Sequence, residues 1–143
     1  MAKDYRTAED HGGEPYVVDI EKATLDNDEF RVTLWTGKHL QLTVMSIEPG
    51  DDIGLEVHPD NDQFLRIESG TGRCEMGPAE DDLPFVRDVG DDDVILVPAG
   101  TWHNVTNTGD EPLKVYALYG PPDHEPGTEH PTHEDAEEDP AED

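Results

Sequence analysis

The chain has 143 residues, a formal net charge of -27 and only 33% hydrophobic residues, enough for one domain with a small core. No apolar run nears the roughly 18 residues of a membrane span, and no apolar segment follows Met1-Ala2-Lys3-Asp4-Tyr5, so neither membrane insertion nor a signal peptide is expected. Cys74 is the only cysteine, which excludes an intramolecular disulfide and a thiolate zinc site, and a cytoplasmic protein is expected.

Acids outnumber bases 36 to nine, and seventeen excess negative charges remain on residues 1–122 when the tail is set aside. Such a surface repels phosphates, so no nucleic-acid partner is expected. The acids lie in short scattered clusters such as Asp51-Asp52, Asp81-Asp82 and Asp91-Asp92-Asp93. This scatter favours a halophilic surface, tolerable under molar-salt screening, over an acidic face for a basic partner.

Residues 1–15 are polar and aperiodic and read as a flexible arm. Phe30 to Trp35 and Leu40 to Met45 alternate around the turn Thr36-Gly37-Lys38-His39, which predicts a hairpin. Ile53 to His58 continues extended, and Gln63 to Glu68, Arg73 to Met76 and Phe85 to Val89 read as strands. Val94-Ile95-Leu96-Val97 is a continuous apolar run expected to be buried on both faces. His103 to Asn107 and Leu113 to Tyr119 complete the set, and no long helix is expected in the body. Short strands joined by Gly, Pro and Asp turns predict an all-β barrel or sandwich over residues 16–122, with a ligand pocket between its sheets. Residues 123–143 carry ten acids and no Lys or Arg and are expected to be mostly disordered, apart from a short helix capped by Thr132.

The chemistry concentrates at Glu56, His58, Gln63 and His103. Two residues apart on a strand means one face, so Glu56 and His58 converge inside a barrel. The turn Pro98-Ala99-Gly100 delivers His103 at the start of a strand. A carboxylate, an amide and two imidazoles suit one divalent transition metal, Mn, Fe, Co, Ni or Zn.

These spacings resemble the cupin family. Its first motif reads here as Gly50, five residues, Glu56-x-His58, four residues, Gln63, six residues and Gly70. Its second reads as Pro98-Ala99-Gly100, two residues, His103, three residues and Asn107, with Asp92 where a glycine is usual. The resemblance spans residues 30–120 and implies a jelly-roll (double-stranded β-helix) barrel holding a metal. Glu56 stands where the family usually has His, and Gln63 where it usually has Glu. The exchange keeps one carboxylate and two neutral imidazoles. Gln63 either coordinates or, standing back, leaves Glu56, His58 and His103 as a facial triad.

The resemblance implies a small-molecule ligand and leaves open whether the chain is an oxygenase- or isomerase-like enzyme or a non-catalytic binding module. Glu56 is a candidate general base if burial raises its pKa. Leu65 and Ile67 are expected to face inward, Cys74 to be inert, and His124, His130 and His133 to be solvated. Open strand edges predict a homodimer.

Overall fold

In the computed structural model, which describes residues 3–142, two antiparallel sheets face one another. The strands are β1 (Arg31–Thr36), β2 (Gln41–Ile47), β3 (Asp62–Ser69), β4 (Thr71–Gly77), β5 (Phe85–Gly90), β6 (Val94–Val97), β7 (Trp102–Asn107), β8 (Leu113–Gly120) and β9 (Glu129–His130). The large sheet runs β6-β3-β8-β2-β1-β9 and the small one β5-β4-β7. The β1–β2 hairpin and all the strands expected from the alternation are present, and the architecture is the all-β jelly roll. The segment from Ile53 to His58 joins only through isolated bridges, Asp52 with Thr106 and Glu56 with His103.

Inward side chains from both sheets form the core, with Ile47, Leu65, Ile67, Val105, Leu113 and Ala117 almost fully buried. Leu65 and Ile67 point inward as expected. Cys74 is buried in the same core, and desolvation pushes its thiol up to about 11, so it is inert. At the motif turns the backbone demands are visible. Gly70 has φ +95, and an added Cβ would lie 2.9 Å from the Pro112 carbonyl oxygen. Asp92, in place of the usual glycine, adopts φ 75, a left-handed geometry that Asp tolerates better than most residues.

Several expectations are overturned. Val94 and Leu96 are 45% and 65% exposed while Ile95 and Val97 point into the core, so β6, the edge strand of the large sheet, is buried on one face only. A seven-residue helix, α1 (Ile20–Asp26), short enough to agree with the expected lack of a long helix, is capped by Asp19 and packs against β2, β3 and β8. Residues 3–15 do not form a loose arm: Tyr5 is 5% exposed and Arg6 bridges Thr128. Met1 and Ala2 lie outside the described residues.

The acidic tail is also folded onto the body up to residue 142. The fully buried Gln41 side chain accepts from the backbone N–H groups of Asp123 and His124 and donates to the His124 carbonyl. β9 then pairs with β1, and α2 (His133–Glu138) follows with the expected Thr132 cap. Polar contacts made by the tail's histidines replace the apolar burial that its composition lacks. Among the described residues no helix is long and apolar enough to cross a membrane.

Candidate metal centre

Glu56 and His103 sit opposite one another in a two-way backbone bridge, Glu56 N–H to the His103 carbonyl at 3.0 Å and His103 N–H to the Glu56 carbonyl at 2.9 Å. Directly paired residues present their side chains on one face. The turn ending at Gly100 donates to the His58 carbonyl at 2.9 Å, holding the His58 backbone beside the entry to β7. Local backbone pairing therefore gathers Glu56 and His58, from one segment, with His103 from a distant part of the chain.

Ligand atoms of Glu56, His58 and His103 all lie within 4.8 Å of one another. His58 Nε2 is 3.2 Å and His103 Nε2 3.5 Å from the same Glu56 oxygen, Oε1. His103 is 1% exposed, and its Nδ1 lies 3.1 Å from the Thr101 carbonyl oxygen. A carbonyl only accepts, so Nδ1 is the donor, and in the neutral ring Nε2 carries the lone pair. That lone pair faces a carboxylate oxygen, and two acceptors at this separation call for a cation between them. Buried His103 Nε2 makes no hydrogen bond. The donor set therefore fits a divalent metal.

Gln63 is 3% exposed and its Nε2 donates to Tyr119 Oη at 3.1 Å. Its Oε1 is buried without a hydrogen-bond partner. The amide is thus oriented by Tyr119, whose ring also meets His58 edge-on at 5.7 Å between centroids.

Two charged residues join the site that the motif spacing did not indicate. Asp123, from the tail, places Oδ1 3.2 Å from His58 Nδ1 and fixes that ring from behind. Arg31, on β1 and 4% exposed, lines the same cavity, and its positive charge acts on Glu56. Arg31 turns inward because Arg31 and Thr33 share the interior face of β1. The cavity measures about 610 Å³ and is lined by Arg31, Glu56, His58, Asp123, His133 and Glu137 among others.

Burial alone would raise the Glu56 pKa, but the close approach of the His103 and His58 ring nitrogens, and the charge of Arg31, hold it well below the usual carboxylate range. The expectation of a raised pKa fails because the histidines stabilise the anion more than burial disfavours it. Burial works to strip the His58 proton, but the Asp123 and Glu56 carboxylates outweigh it and push the pKa up to about 10. A folded-state pKa above the unfolded one means these contacts add stability below about pH 6.5 that fades as pH rises through about 10. At pH 7 the metal-free ring is protonated, and an incoming metal must displace that proton. Loading at pH 7 is expected to release about one proton per ion, with apparent affinity rising about tenfold per pH unit up to pH 9. Calorimetry in buffers of differing ionisation enthalpy reads this directly, and heats independent of buffer would refute it.

The tail histidines take three separate positions. His124 packs edge-on against Tyr119, His130 pairs with Asp139 at 2.8 Å, and His133 pairs with Asp51 at 2.8 Å while stacking on Phe30. None is solvated as expected.

The family described as "Cupin domain" matches residues 43–119. The chain belongs to the cupin family. The YrkC protein of Bacillus subtilis is 58% identical over 127 residues, which cover 89% of this chain and 68% of that protein. The crystal structure of BH2720 from Bacillus halodurans superposes with TM-score 0.89 at 57% identity, covering 90% of this cupin and 97% of that chain. An oxalate decarboxylase of Bacillus subtilis, an S161A mutant of OxdC, is 26% identical with TM-score 0.54, over 59% of this chain and 22% of that one.

Proposed function

We propose that this cupin is a metal-dependent protein that takes a small organic acid into its barrel. Glu56, His58 and His103 would hold one divalent metal, with the Gln63 Oε1 as fourth ligand or as an amide facing the bound molecule. The observation that carries the reading is the facing pair of acceptors, His103 Nε2 and Glu56 Oε1, at 3.5 Å, with Glu56 and His58 on the wall of a cavity of about 610 Å³. Bound there, the metal would supply a Lewis acid or an oxygen-activating centre.

The protein's own groups define the rest. Asp123 holds the His58 ring, Tyr119 holds the Gln63 amide, and Arg31 offers a planar fork suited to a carboxylate. Because its pKa is held well below the usual carboxylate range, Glu56 is a weak base and is assigned to ligation and not to proton abstraction. The likeness to an oxalate decarboxylase supports an acid as ligand. A second reading, binding without turnover, is favoured by the apolar Leu65 and Ile67 on the inner wall and by the engagement of Glu56, His58 and Asp123 with one another. A homodimer remains part of the proposal.

Protein purified from metal-supplemented medium should hold about one equivalent of a transition metal by elemental analysis. Less than about a tenth of an equivalent would overturn the metal reading. Metal-loaded protein titrated with oxalate, malonate and pyruvate should bind at least one of them, and Arg31→Gln should weaken that binding about tenfold or more with metal content unchanged. Equal affinity in the variant would remove Arg31 from the reading. Analysis of the recovered acid separates turnover from binding alone.

A further inference from the structure

The cavity beside Glu56 and His58 is larger than a two- or three-carbon acid needs. Its volume of about 610 Å³ falls within the roughly 300–1,000 Å³ of sites that enclose drug-sized molecules. Oxalate or pyruvate held at Arg31 leaves most of that space to water.

Part of the lining is apolar. Leu55, Val57 and Pro59 come from the segment that carries Glu56 and His58, and Ala136 and Ala141 come from the folded tail. Leu55 is 38% exposed, in a chain of net charge -27 whose tail already lies over this side of the barrel. A single exposed leucine has no special meaning, but five apolar side chains converging on one cavity do. A bound molecule gives them their apolar partner.

Charge limits the polar end of that molecule. Among the described residues the lining carries the carboxylates of Glu56, Asp123 and Glu137 and one guanidinium, Arg31. A divalent metal at Glu56, His58 and His103 balances this set, with the histidines neutral as ligands. His133 is taken up by Asp51 at 2.8 Å and Glu137 at 3.4 Å. One carboxylate on the ligand therefore meets Arg31 and the metal. A second one meets only Glu137, and it loses its hydration without gaining a cation.

We propose that the ligand of this site is a monocarboxylic acid with an apolar body, selected through Leu55. Its carboxylate lies at Arg31 and the metal, and its body lies along Leu55, Val57, Pro59, Ala136 and Ala141. This rests on the reading of Arg31 and the metal centre as an acid site, and it moves the ligand away from short diacids.

The test is isothermal titration of the metal-loaded full chain with acetate, butyrate, hexanoate, octanoate and suberate, the diacid of octanoate's length. Affinity should rise about tenfold for each two methylenes added from acetate to octanoate. Suberate should bind at least about tenfold more weakly than octanoate. Leu55→Ser should weaken octanoate about fivefold and flatten the series, with circular dichroism and metal content unchanged. Arg31→Gln should weaken every monoacid by about the same factor, which places the long acids in this cavity and not on another apolar surface. Affinity that does not rise with length, suberate equal to octanoate, or octanoate indifferent to both substitutions would each overturn the inference. In the first two cases, pyruvate binding that still depends on Arg31 leaves the acid reading standing. If no acid binds at all, both fall together.

Discussion

Replacing His103 by alanine is expected to lower metal affinity by more than about a hundredfold while the barrel stays folded. The ring sits at the first turn of β7, 1% exposed, with Nδ1 tied to the Thr101 carbonyl and Nε2 directed by that tie toward Glu56. Its backbone pairing with Glu56 is unaffected by the side chain, so strand β7 keeps its place. Without the ring, Glu56 and His58 remain as two ligands from one segment, too few to hold a first-row ion tightly. Asp123→Ala should cost less, about ten- to a hundredfold, because it only releases His58 from its orientation. Isothermal titration with zinc or cobalt measures both variants. If Asp123→Ala weakened binding more than His103→Ala, the assignment of ligand and supporting residue would be reversed; if neither weakened it, the site lies elsewhere.

The site was legible in the sequence to the extent that it rests on spacing. Glu56 and His58 two apart, and His103 after Pro98-Ala99-Gly100, are local patterns whose geometry follows from strand alternation and a tight turn. Arg31 was missed because alternation reveals two faces without saying which turns inward. On β1 and β2 it is Arg31, Thr33, Gln41, Thr43 and Met45 that face the interior, while Val32, Leu42 and Val44 lie on the other side. This inversion has two consequences. The barrel interior near the cavity is polar enough to serve a ligand, and the apolar residues displaced from it lie on the outer face, where Val44 is 2% exposed. Asp123 was missed for a different reason. Low hydropathy and high charge argue against a folded tail when apolar burial is the only stabilising force counted. Here the tail is held by Gln41, by pairing of β9 with β1, and by its histidines, none of which composition registers.

Asp139→Ala is expected to lower stability by about 3 kcal/mol, the upper end of the scale for removing a buried hydrogen bond to a charged group. Asp139 Oδ2 lies 2.8 Å from Nε2 of His130, a residue with 0% exposure on the strand that pairs with β1. The carboxylate makes Nε2 the donor, so in the neutral ring Nδ1 is an acceptor, and it lies 3.5 Å from the Arg31 guanidinium. Asp139, His130 and Arg31 thus form a chain from the last described turn of the tail to the cavity wall. Removing its outer end leaves a buried imidazole without that carboxylate and loosens the guanidinium that the proposed ligand would meet. The melting temperature should fall by about 10 °C, and Asp139→Asn, which keeps an acceptor, should fall less. The titrated acid should also bind Asp139→Ala more weakly than the unmodified protein, although Asp139 is separated from the guanidinium by His130. A drop below about 2 °C would show that the tail contributes little to the fold. A large drop with unchanged ligand affinity would instead confine the chain to a structural role and leave Arg31 held by its other contacts, among them the Phe30 ring 5.2 Å away.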